Sequence, residues 1–183
     1  GKRRSRRPQT SWQARHVPLL AFPPTRSRKG FPMDNDDVIS TLNDLIETCK
    51  DGEYGYRASA EHLRNAQTRM RFVQAADQCG VAANRLAAEV ARLGGKAEDG
   101  GSLAGAMHRG WVAVRSTLST QTDLAILEEA ERGEDHALES YRDALKEPLP
   151  EPVRGVVQMQ YEDAKRNHDE VRRLRDEARA VNA

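Results

Sequence analysis

Apolar side chains return every three or four residues along four stretches of this chain, and clear stop signals separate them. That period marks an amphipathic helix, and four such helices leave few possible folds. The first stretch runs from about Val38 to Asn65, with Val38, Leu42, Leu45, Ile46, Cys49, Tyr56, Ala60 and Leu63 on one line. The acidic run from Asp34 to Asp37 supplies an N-cap and places negative charge at the positive end of the helix dipole. Thr68 can cap the second stretch, which continues to about Leu93 with Met70, Val73, Ala76, Ala83, Leu86, Ala87, Val90 and Leu93 facing inward. Gly94-Gly95 ends it, as glycine past a helix C-terminus does.

A third helix is expected from Thr120 or Thr122 to about Leu145, through Leu124, Ile126, Leu127, Ala130, Ala137, Leu138, Tyr141 and Leu145. The prolines of KEPLPEP break the chain, and a fourth helix runs from about Val153 to Ala178. Each long helix has about 25 residues, or roughly 37 Å at about 1.5 Å per residue. The first two are joined tightly and form an antiparallel hairpin, as do the last two. Between the hairpins lies a long connection, residues 94–120, with a shorter amphipathic segment Leu103–Leu118 whose Trp111 is expected to anchor it to the bundle. The predicted fold is therefore all-α, a ferritin-like four-helix bundle of two antiparallel helical hairpins joined by a long crossover that carries a short extra helix.

Shifting the chain against itself by 81 residues aligns helix one with three and helix two with four. Thr41, Ile46, Glu47, Gly52, Glu53 and Ser59 fall on Thr122, Leu127, Glu128, Gly133, Glu134 and Ser140. At the same offset Glu89, Val90, Arg92 and Leu93 fall on Glu170, Val171, Arg173 and Leu174. One register across both pairs reads as two related hairpins about a pseudo-two-fold axis; shared helical composition is the alternative.

The segments IETCKDGEYGY, AMHRGW, ILEEAERGEDHALESY and NHDEVRRLRD resemble those of a bacterial family of uncharacterised ferritin-like four-helix-bundle proteins, a domain of unknown function. The resemblance covers Met33 to about Asp176. It implies the bundle fold and a cytoplasmic, stress-associated setting, but no activity.

Ferritin-like di-iron sites take a Glu from each of two helices and a Glu-x-x-His from each of the other two. Glu53 lies on the inward line of helix one, and Glu134, its repeat mate, on that of helix three. Charge there is costly unless paired or metal-bound. The second requirement fails: His62, His108, His136 and His168 follow Ser59, Gly105, Gly133 and Lys165 at that spacing, so no Glu-x-x-His exists. A degenerate site for iron or another divalent metal would draw on Glu53, Glu134, Glu131 and His168. The competing reading holds Glu53 and Glu134 with Arg or Tyr partners, for which Arg57, Arg85, Tyr56 and Tyr141 are at hand. Gly52 and Gly133, each preceding one of these Glu residues, would then mark close helix approach. No glycine-rich phosphate loop or nucleophile motif occurs. The chain is expected to be non-enzymatic, to need no cofactor and to form homo-oligomers through its helix faces.

The net charge of +1 conceals an uneven distribution: residues 1–32 carry nine basic and no acidic side chains, and the rest carries a net −8. This basic, proline-rich leader stands apart from the bundle domain, 33–183. Three readings of it stay open: a leader not native to the protein, with Met33 the true start; a disordered cationic arm that binds nucleic acid; and a targeting peptide. Two cysteines outside any CxxC pattern suggest buried, reduced thiols and a cytoplasmic protein. No run approaches the roughly 18 apolar residues of a membrane span, so no membrane partner is expected.

Overall fold

The computed structural model describes residues 33–97, 118 and 120–181. The basic leader, Trp111 and all of the expected crossover helix but Leu118 lie outside the described residues. Four helices and no strand are found among them: α1 Asn35–His62, α2 Ala66–Arg92, α3 Asp123–Lys146 and α4 Glu151–Val181. They make a four-helix bundle. None of them is long and apolar enough to cross a membrane.

Local chemistry sets the helix ends. Asp34 caps α1 by accepting from the Asp37 amide at 2.9 Å, and Asp36 and Asp37 complement the dipole in the first turn. Asn65, not Thr68, caps α2, because its carboxamide oxygen reaches the Thr68 amide at 2.9 Å and also accepts from the Thr68 hydroxyl. A Schellman motif closes α2: Gly94 sits at φ 81°, its amide bonds Ala91 O, and the Gly95 amide reaches back to Val90 O. Thr122 caps α3 by accepting from the Ala125 amide. The guanidinium of Arg154 donates to Leu145 O and Glu147 O, placing a cation at the negative end of α3.

Cross-helix pairs give the helix directions. Cys49 meets Tyr141, Tyr56 meets Glu134, and the Arg64 amide meets Asp123, so α1 and α3 run antiparallel. Ala82 meets Gln160 and Arg71 meets Glu170, so α2 and α4 are antiparallel too. With each hairpin antiparallel, the order is up, down, down, up. The chain leaving α2 lies beside the start of α1, where Asn43 donates to Lys96 O. By contrast, the start of α3 lies at the other end, where the Asp123 carboxylate accepts from the Arg64 and Asn65 amides. The end of α2 and the start of α3 therefore lie at opposite ends of rods roughly 40 Å long.

The core falls into two clusters. One gathers Val38, Leu42, Leu45, Ile46, Leu86, Val90, Val153 and Val157 at the end where α1 begins. The other gathers Tyr56, Leu63, Phe72, Ile126, Leu127, Val171 and Leu174 at the opposite end. In α2 the expected inward positions need correction: Met70 is 56 % exposed and Val73 41 %, whereas Phe72 is 1 % exposed. Rotating the stripe buries the larger apolar surface and sets Phe72 edge-on to Tyr56, with ring centroids 5.0 Å apart.

The paired glycines also part company. A Cβ on Gly52 would stand 3.1 Å from Cys79 Sγ, so α1 and α2 do approach closely there, but a Cβ on Gly133 would meet nothing within 4 Å. Close approach explains Gly52 and not Gly133. Gly133→Ala should accordingly stabilise the fold by roughly 0.5–1 kcal/mol through helix propensity. Gly52→Ala should gain less or lose stability. Urea denaturation of the two variants tests the contrast.

Candidate functional site

Between the two core clusters the bundle carries few large apolar side chains, and the space they would fill is a cavity of about 740 Å³. All four helices line it: α1 through Cys49 and Tyr56, α2 through Cys79 and Ala82, α3 through Glu134 and Tyr141, α4 through Met159 and Gln160. Its rim includes Val81, 68 % exposed, and Met159, 38 % exposed, from α2 and α4. Those two helices make the sparsest contact of the neighbouring pairs.

A hydrogen-bond chain crosses this layer and ties the four helices together. Gln160 Nε2 donates to Ala82 O at 3.1 Å, leaving Gln160 Oε1 as an acceptor. Tyr141 therefore donates to Oε1 at 3.0 Å, and its oxygen is free to accept from the Cys49 thiol at 3.1 Å. Every proton direction follows from the one carbonyl at the end of the chain. Burial pushes the Cys49 thiol up to about 11 and raises the Tyr141 phenol, so both stay protonated as the chain requires. Tyr141→Phe would leave the buried Gln160 Oε1 without its donor and should cost about 1–3 kcal/mol of stability by chemical denaturation. Cys49→Ser, which can still donate to Tyr141, should cost less.

Glu134 is the buried charge of the site, 7 % exposed. The Tyr56 hydroxyl donates to its Oε1, and Oε2 accepts no hydrogen bond from any described residue. Burial is the main cause of its high pKa, pushed up to about 7, and Asp135 adds to it. The Tyr56 bond and His168 pull in the other direction. Tyr56 in turn is held well above the ordinary tyrosine value by burial and by the neighbouring carboxylate. The Cys79 thiol is raised by burial first and by Glu134 second.

The other proposed metal ligands have their own partners. Glu53 does not join Glu134; its carboxylate lies against Gly80 of α2, about 3.0 Å from where a Cβ would be, and accepts from Arg57 at 2.9 Å. Arg57 also holds Asp77 at 3.0 Å. Glu131 is paired with Arg175 from α4. His168 comes near Glu134, but its ring nitrogens face Asp135 at 3.1 Å and Asp169 at 3.5 Å. No group of three or more His, Cys, Asp or Glu side chains is placed to hold a metal ion among the described residues. Of the four residues the sequence offered as ligands, Glu134 alone lines the cavity, and Glu53 and Glu131 are each held by an arginine, a set that does not fit a di-metal centre.

Sequence reasoning found Glu134, Tyr56 and Tyr141, but passed over Gln160 and the convergence of both cysteines on one cavity. A glutamine at an inward position of an otherwise apolar stripe is the signal that was present for Gln160.

The fold and site thus define a four-helix bundle with a central cavity where a buried carboxyl, Glu134, sits among hydroxyl, amide and thiol groups. Residues 37–147, more than half of the chain, match the family described as Domain of unknown function (DUF2383), and the chain belongs to that family. The match spans nearly all of α1, the whole of α2 and the whole of α3. A comparison with curated proteins gave no match.

Proposed function

We propose that this protein is a ferritin-like bundle that binds a small organic molecule at its centre instead of housing a di-metal oxidase site. The ferritin-like assignment draws support from the up, down, down, up helix order and from the 81-residue offset relating the two hairpins. The ligand-binding reading rests on one observation: a cavity of about 740 Å³ at the level where the core clusters part. That volume falls in the range of small-molecule sites, which are mostly apolar with a few fixed polar groups. The absence of Glu-x-x-His and the commitment of Glu53 and Glu131 to arginines argue against iron chemistry at the same level.

Two titrations test this reading. An apolar probe such as 1-naphthalenemethanol should bind at one site per chain in calorimetry, and Ala137→Leu, which narrows the cavity, should weaken it. Anaerobic loading with ferrous iron should leave well under the roughly two irons per chain of a di-iron protein. Stoichiometric iron that is lost on Glu134→Ala or Glu53→Ala would overturn the proposal in favour of a metal-handling bundle.

A further inference from the structure

The chemistry of the cavity wall also selects among ligands, an inference that rests on the cavity reading above. The cavity wall carries more acid than base: five carboxyls, Glu134 among them, against the guanidiniums of Arg85 and Arg166 and the imidazole of His136. Three nearby arginines are already held by carboxylates. Arg57 is bound to Glu53 and Asp77, Arg166 to Asp163, and Arg175 to Glu131 and Asp176. Arg85 lies at the rim, where it reaches Met159 Sδ. Glu134 is thus a carboxyl 7 % exposed, with one donor on Oε1 and, among the described residues, no hydrogen-bond donor on Oε2 and no arginine or lysine paired with it.

A buried carboxylate without a counter-cation is unfavourable, and a ligand that brings the cation removes that cost. The aromatic faces of Tyr56 and Tyr141 favour the same sign of charge, through attraction of a cation to the ring quadrupole. An anion would face Glu134 in a wall whose carboxyls outnumber its bases. A neutral apolar molecule would gain contact with the wall but leave Oε2 unpaired. We infer that the cavity is a binding site for an apolar organic cation, an ammonium group on a hydrocarbon or aromatic body, with the ammonium on Glu134 Oε2.

Three probes that share one ring system and differ in charge separate the possibilities: 1-naphthylmethylamine, 1-naphthalenemethanol and 1-naphthoate. Calorimetry on the full chain should give the ammonium roughly tenfold tighter binding than the alcohol and no measurable binding of the carboxylate. Glu134→Gln should bring the amine down to the level of the alcohol, with circular dichroism confirming the helical fold. Should that variant not fold, Tyr56→Phe offers a second route: it leaves the carboxyl and frees both oxygens for the ammonium, so amine selectivity should persist. Equal binding of amine and alcohol by the natural chain, or tighter binding of the carboxylate, would overturn the cationic preference and leave the cavity reading standing. If none of the three probes binds, the cavity reading itself fails and this inference with it.

Discussion

Glu134→Gln is expected to flatten the dependence of stability on pH. Burial raises the folded-state pKa of this carboxyl to about 7, against 4.5 for an ordinary glutamate. The folded protein therefore holds the proton more tightly than the unfolded chain. The stability this contributes is fully present below about pH 4.5 and is lost as the pH rises through about 7. The loss is on the order of 3 kcal/mol. Glutamine has no proton to lose, and its amide oxygen can still accept from Tyr56. The variant should match the natural protein at acid pH and exceed it by up to that amount at about pH 8. Urea denaturation at the two pH values measures the difference. A variant less stable than the natural protein at the higher pH would show that a cation inside the fold already compensates Glu134.

Phe72→Ala is expected to be the most damaging single truncation among the side chains described. The ring is 1 % exposed and stands edge-on to Tyr56 at an interplanar angle of 85°. Removing it empties the cluster next to the cavity and should cost about 3–5 kcal/mol. The effect extends to the site, because Tyr56 donates to Glu134. A double-mutant cycle of Phe72→Ala with Tyr56→Phe should show a coupling of roughly 0.5–1.5 kcal/mol. Met70→Ala and Val73→Ala, on the exposed side of the same helix, should change stability by less than about 0.5 kcal/mol. Similar losses at all three positions would mean that the exposed stripe of α2 is covered in solution.

Periodicity was enough to place the four long helices, since apolar spacing and end signals act locally. In α1 every apolar residue of the expected inward line from Val38 to Leu63 is buried, while Glu53 on the same line is only half-buried. Gly94-Gly95 ends α2 through its own backbone geometry, and Thr122 starts α3 through its own hydroxyl. Alpha2 shows the limit of such reasoning. Met70 and Val73 follow a helical spacing as good as that of Phe72, Ala75 and Ala76, and only the neighbouring helices decide which stripe is covered. The two Gly-Glu pairs show the same limit. Gly52-Glu53 and Gly133-Glu134 occupy equivalent positions in the chain, yet Glu53 lies over Gly80 with an arginine, and Glu134 is enclosed with a tyrosine. The difference lies across the interface, where α2 offers a glycine to Glu53 and α1 offers the Tyr56 hydroxyl to Glu134.

The sequence by itself determined that the chain forms four long amphipathic helices, paired as hairpins, and lacks the Glu-x-x-His spacing of a di-iron protein. Those properties depend on residues within a few turns of one another. Only the tertiary structure decided that Cys49, Tyr141, Gln160 and Ala82 form one hydrogen-bond chain, that Glu134 is enclosed beside a cavity, and that Glu53 and Glu131 do not join it. Each of these depends on which side chain a different helix presents at the same level, and helical period fixes a face without fixing the neighbour opposite.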